Sequence, residues 1–128
     1  MSVAIAVKKW TLEELHSLPD DGNKYEVIHG ELFVTPPPTD PHETVLAKLT
    51  RKLDPFVEKH GLGYVYRPRA VVRVGDSEVE PDDMVRLPNP GGDWARAPIP
   101  SLIVQVLSPT TRRRGRNHKR ELHLEIRV

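Results

Sequence analysis

The sequence predicts one α/β domain spanning residues 1–128, with an N-terminal helix and a β-hairpin ahead of a sheet flanked by helices. Three observations predict it. A helical stretch with clear start and stop signals runs from Asp40 to about His60. Short strand-like runs rich in Val, Ile and Tyr surround it. Thirteen prolines in 128 residues, about twice the usual ~5%, keep the elements short and the loops defined. With 38% hydrophobic residues, a chain of this length can bury one core but not two.

The elements follow in order. Trp10 to Leu18 reads as a short amphipathic helix: Thr11 caps it, Glu14 completes a capping box, and Leu12, Leu15 and Leu18 share a face. Pro19 and Asp20-Asp21-Gly22 stop it. Tyr25 to Val34 splits into two strands about a two-residue turn at His29-Gly30, in a register that pairs Ile28 with Glu31 and Val27 with Leu32. Pro36 to Pro38 forms a stiff connector. Asp40 then caps the long helix with Pro41 at its first position, and Glu43 reaches back from the third. Val45, Leu46, Leu49, Leu53, Phe56 and Val57 recur at helical spacing, as in a core helix, and Gly61 supplies the stop. Pro55 should kink or interrupt the last turn.

Tyr64 to Pro68 and Ala70 to Val74 read as strands, and Gly75-Asp76 turns into Ser77 to Val79 and on through Glu80-Pro81-Asp82-Asp83-Met84-Val85. Pro88 to Pro100 is a surface loop. Leu102 to Leu107, bounded by Pro100 and Pro109, reads as a buried strand interrupted only by Gln105, an amide that needs a partner or points into a site. Beyond it, Arg113 to Leu122 tolerates a helix, and Leu122, Leu124, Ile126 and Val128 alternate as in a strand.

Charge is unevenly spread. Arg112 to Arg120 carries six Lys/Arg and no acid, so at a net charge of +1 the remainder is acidic. Such a block suits a polyanion. No apolar run approaches the ~18 residues of a membrane span, and no secretory signal is visible. The absence of cysteine excludes disulfides and thiolate metal sites and leaves a cytoplasmic location as the default expectation. Any metal would take oxygen or imidazole ligands.

Asp82 and Asp83, with Gln105 on the next strand and Lys119 beyond, form the candidate site. Carboxylates gathered at adjacent strand ends suit a hard cation such as Mg²⁺, and a lysine beside them suits a phosphate or an attacking water. An Asp pair after a proline also reads as a turn or cap feature. Arg112, Arg113, Arg114 and Arg116 read either as phosphate contacts, which position a nucleic acid without reading it, or as a solvated helix face. Trp10 and Trp94 read as packing residues, and His16, His29, His60 and His123 as surface residues.

The segments YEVIHGEL, PPTDPH before the long helix, EKHGLG at its end, EPDDMV, and LIVQVLSPTTRRR followed by Lys119 together resemble the Uma2 family of the PD-(D/E)XK nuclease superfamily, over approximately Trp10 to Leu122. The resemblance implies a restriction-endonuclease-like mixed β-sheet flanked by helices, a phosphodiesterase centre dependent on Mg²⁺ or Mn²⁺, and DNA as the partner. Asp82 matches the family's metal-binding aspartate and Lys119 its lysine, while Glu26 and Glu31 fall in the YE…GE block. Either glutamate could reach the metal, or both could be solvent-facing hairpin residues. His42 matches the PxH pattern or serves at the helix N-terminus.

Gln105 departs from the pattern, which has a glutamate there. An amide oxygen can coordinate a cation, but it brings no charge and cannot act as a general base. The metal set expected from the resemblance is therefore Asp82 with Gln105. Gly115 and His118 also stand where relatives are usually acidic. Relatives continue into a further aromatic-rich strand, so the end at Val128 reads as a substitute strand or a truncation. An uncovered edge there would favour a homodimer or another partner chain. The sequence thus leaves two readings: a metal-dependent endonuclease weakened at Gln105, and a non-catalytic binding or dimeric assembly module on the same fold.

Overall fold

The computed structural model describes residues 8–107, so the expectations for Lys119, for Arg112, Arg113, Arg114 and Arg116, and for the terminal helix and strand lie outside the described residues. Helix α1 (Leu12–His16) starts as expected: Thr11 accepts from the Glu14 N–H at 3.1 Å, and the Glu14 carboxylate accepts from the Thr11 N–H at 3.2 Å. Strands β1 (Lys24–Ile28) and β2 (Glu31–Thr35) pair in the expected register, Ile28 with Glu31 and Val27 with Leu32. His29 (φ 49°) and Gly30 (φ 82°) both take positive φ, the turn geometry that matches the twist of a tight hairpin.

Helix α2 (Asp40–Lys59) begins one residue earlier than its sequence suggests. Thr39, not Asp40, is the N-cap and accepts from the His42 N–H at 3.5 Å, which leaves Asp40 inside the first turn bonded to the Thr44 hydroxyl at 2.9 Å. Both residues are good caps, and the position of Pro41 suits either frame. The helix runs through Pro55 without interruption, and Gly61 (φ 63°) follows its end. Its apolar stripe is wider than the face it buries. Leu46, Thr50 and Val57 are buried, whereas Val45, Leu49 and Phe56 are exposed among the described residues.

The remaining strands are shorter than the sequence suggests: β3 (Tyr64–Tyr66), β4 (Val72–Val74), β5 (Ser77–Val79), β6 (Asp83–Arg86) and β7 (Leu102–Val104), with a 3-10 turn at Trp94–Arg96. Two antiparallel sheets result, ordered β2-β1-β5-β4 and β3-β6-β7. With α2 packed on β3 and β6, this α/β arrangement agrees with the restriction-endonuclease-like class. Ile28, Phe33, Val72, Val79 and Met84 form a core cluster that draws on both sheets. The 102–107 segment is not the buried strand its apolar run predicts. Among the described residues β7 is an edge strand, its pairing ends at Val104, and residues 103–106 are only half-buried.

The sheets are joined by Glu80-Pro81-Asp82, the link between β5 and β6. A link this buried must satisfy its backbone polar groups. The Glu80 N–H donates to Glu26 Oε2 at 2.8 Å, the Glu80 carbonyl accepts from Lys24 Nζ at 3.2 Å, and the Asp82 N–H donates to the Val104 carbonyl at 3.1 Å. Pro81 between them has no N–H to satisfy, which is why a proline fits there.

Candidate functional site

That link places Asp82, a buried residue, against the residues around Gln105. Asp82 holds the segment twice: its N–H donates to the Val104 carbonyl, and its Oδ2 accepts from the Val106 N–H at 2.6 Å. Gln105 lies between these two bonded neighbours, half-buried, with its amide nitrogen out of solvent. The expected neighbourhood of Asp82 and Gln105 therefore exists, although Gln105 follows β7 instead of lying inside it. A backbone N–H donated to a carboxylate is a charge-assisted bond, shorter and stronger than one between neutral groups.

His42 completes this corner. Its Nε2 is 3.4 Å from Asp82 Oδ2, and its Nδ1 is 3.1 Å from Glu43 Oε1. The helix start fixes it, because its own N–H is bonded to Thr39. Of the two readings the sequence allowed for His42, the structure therefore shows a ring that faces the aspartate as well as a backbone that joins the cap. The PxH match was the only signal for it, since the contact is made forty residues away in sequence.

The two hairpin glutamates separate. Glu26 is buried and holds the Glu80 N–H, so it fixes the link that carries Asp82. Glu31 is exposed in the outer strand β2. Burial raises the Glu80 carboxyl above the usual carboxylate range, against the opposing charges of Lys24 and Arg69. His16, expected at the surface, is half-exposed but engaged: its Nε2 lies 3.1 Å from both oxygens of the buried Glu78, which also accepts from Arg73 Nε and from an Arg73 terminal nitrogen at 2.9 and 2.7 Å.

Asp83 is oriented differently from its neighbour. It is fully buried and lines a cleft of about 710 Å³ beside α2, together with Glu43, Thr50, Asp54 and Arg67. Thr50 Oγ1 is hydrogen-bonded both to the Leu46 carbonyl, at 2.8 Å, and to Asp83 Oδ2. A hydroxyl has one proton to donate. When the carbonyl receives it, Asp83 must bring its own proton to the pair. Burial raises the Asp83 carboxyl in the same direction, with Asp82 and Asp54 adding to the effect and the Thr50 bond and Arg67 opposing it. Among the described residues, Asp83 Oδ1 is buried without a hydrogen-bond partner.

At this corner the structure brings together the Asp82 carboxylate and the His42 imidazole, with the Gln105 backbone held between the two bonds to Asp82. Among the described residues no three His, Asp or Glu side chains form a metal-holding group. One carboxylate with water and substrate phosphate oxygens is a minimal set for Mg²⁺, and it is one negative charge short of a two-carboxylate site. No described helix is long and apolar enough to cross a membrane. Among known protein families, the model of Uma2, described as a putative restriction endonuclease, matches residues 12–128. No curated protein matches the chain.

Proposed function

We propose that this chain, which belongs to the Uma2 family described as a putative restriction endonuclease, is a metal-dependent DNA endonuclease centred on Asp82, with activity held low by Gln105. The observation that carries this reading is the double hydrogen bonding of Asp82 to Val104 and Val106, which sets Gln105 beside the aspartate. In this reading residues 1–128 act as one domain. Asp82 and the Gln105 oxygen hold Mg²⁺ or Mn²⁺, and Lys119 takes a phosphate oxygen or orients water. Arg112, Arg113, Arg114 and Arg116 neutralise flanking phosphates. Glu26 acts indirectly, by holding the link at Glu80.

A divalent cation bound there supplies positive charge to the phosphoryl oxygens of the scissile group. The chain's own contribution is positioning. The Val106 N–H and His42 fix the Asp82 carboxylate before substrate arrives, so little reorganisation is left for the reaction. Gln105 contributes an oxygen dipole without charge or basicity, so neither cation affinity nor proton removal from water gains from it.

A second reading is favoured by one specific contact set. Asp82 Oδ2 already receives the Val106 N–H and faces His42, as an aspartate that only braces a fold would. The protein is then a nucleic-acid-binding module without cleavage. Plasmid nicking in Mg²⁺ or Mn²⁺ separates the two, using the natural chain, Asp82→Ala and Gln105→Glu. The nuclease reading predicts slow nicking by the natural chain, none by Asp82→Ala, and faster nicking by Gln105→Glu. Equal nicking by the natural chain and Asp82→Ala would remove Asp82 from the centre. No nicking by any of the three, with salt-sensitive DNA binding intact, would establish the module.

A further inference from the structure

The second sheet face carries a charge that nothing described neutralises. Arg86, at the end of β6, is 5% exposed. Its guanidinium lies over the Tyr66 ring at 3.8 Å and is 5.8 Å from the Trp94 ring. One terminal nitrogen donates to the Leu87 carbonyl at 2.9 Å, while Nε is buried with no hydrogen-bond partner. No ion pair forms between Arg86 and a carboxylate among the described residues. A guanidinium has five N–H donors lying in its plane. Aromatic faces attract its charge but accept none of those in-plane hydrogens, so the stack alone does not satisfy it.

The surroundings fit an anion. Arg86 lines a pocket of about 30 Å³ together with Arg73, Met84, Trp94, Ile99 and Pro100, and no Asp or Glu is among the lining residues. The Arg73 charge is answered by Glu78, whereas among the described residues that of Arg86 is not. The space admits about two water-sized spheres, which suits the two free oxygens of one phosphate group and not a whole nucleotide. Planar forked donors match such an oxygen pair.

We propose that this pocket is a phosphate-binding subsite, in which Arg86, held flat by Tyr66 and Trp94, takes the free oxygens of a single phosphate group. The group belongs either to a nucleic-acid strand or to a free phosphate. Residues 82 and 86 are four apart, about 13 Å along an extended chain. That is about four nucleotides of stacked strand at ~3.4 Å each. With the nuclease reading the proposal shares only the class of ligand, not the site.

The test reads Trp94 emission in a Trp10→Phe background during titration with inorganic phosphate at constant ionic strength. A saturable change is expected, and Arg86→Gln should abolish it. In parallel, binding of a single-stranded oligodeoxynucleotide should weaken about tenfold in Arg86→Gln, with the slope of log affinity against log salt falling by about 0.7. Loss of the phosphate response with unchanged oligonucleotide binding identifies a free phosphate as the ligand; loss of both identifies the strand. An emission response that survives Arg86→Gln, or no response in the natural chain, overturns the subsite. If Arg86→Gln does not fold, phosphorus-31 line broadening of inorganic phosphate by the natural chain decides, and absence of broadening overturns it as well. These readouts do not depend on strand scission, so they can fail or succeed apart from the nicking assay.

Discussion

Strand β6 divides two regions that treat buried charge in opposite ways. Towards α2, Asp83 enters an acidic cleft with its carboxyl bonded to Thr50 and raised by burial, a shift towards the neutral form that lowers the cost of burying it. On the other face, Arg86 enters a pocket lined by Arg73, Trp94 and apolar residues and cannot discharge itself, because guanidinium does not lose its proton in proteins. The difference teaches that a buried acid can be a structural element by itself, whereas a buried arginine without a carboxylate points to a ligand. The period-2 alternation of a strand puts Asp83 and Arg86 on opposite faces only three residues apart.

The largest effect expected is at the residue that brings β3 against β6. Gly63 has φ +103°, and a Cβ there would lie 2.0 Å from the Arg86 carbonyl oxygen. Gly63→Ala should cost about 3 kcal/mol or more of unfolding free energy in urea denaturation, through strain and displaced backbone. It should disturb the Arg86 pocket and leave the α1 capping box intact. A loss under ~0.5 kcal/mol would show that the strands can separate locally, and the comparison between the two faces would lose its frame.

Thr50→Val comes next. It removes the hydroxyl that satisfies Asp83 while keeping the shape, so a loss of about 1–3 kcal/mol is expected. Adding Asp83→Leu should recover part of that loss, because two apolar partners leave no orphaned polar atom. Simple additivity of the two changes would contradict the Thr50–Asp83 bond.

A smaller effect separates the acidic face by pH. A carboxyl whose folded pKa is raised adds stability fully below its unfolded pKa, near 4, and loses that contribution as pH rises through the folded value. Asp83→Asn should therefore be more stable than the natural chain at pH 7, by roughly 1 kcal/mol. The gain should shrink towards zero as pH falls below about 4. A gain independent of pH would show that folding leaves the Asp83 carboxyl unshifted.

What the sequence disclosed follows the same division between near and far. The hairpin register, the Thr11–Glu14 box and the stop after His60 rest on residues within four positions of one another, and glycine and proline chemistry determines them. The family motifs singled out Asp82 and Gln105 through their linear spacing, and the structure brings their segments together. Long-range choices were not legible. The apolar run at 102–107 reads as buried, yet a sheet edge and a buried centre share that composition; only pairing distinguishes them. Thr50 on Asp83 and Arg86 between Tyr66 and Trp94 join residues far apart, and no local pattern announces either, while for His42 the PxH match marks the residue but not its contact with Asp82. The one-residue shift of the α2 cap has a different origin: Thr39 and Asp40 are near-equal caps, and the fold chose between them.

The central claim, that Asp82 and Gln105 form a cation centre weakened by a missing charge, is tested most directly by calorimetric titration of Mn²⁺ into the natural chain and into Gln105→Glu. Binding at least tenfold tighter is expected in Gln105→Glu, about 1.4 kcal/mol, with loss of that gain when Asp82→Ala is added. Unchanged affinity in Gln105→Glu, or a gain that survives Asp82→Ala, would contradict it.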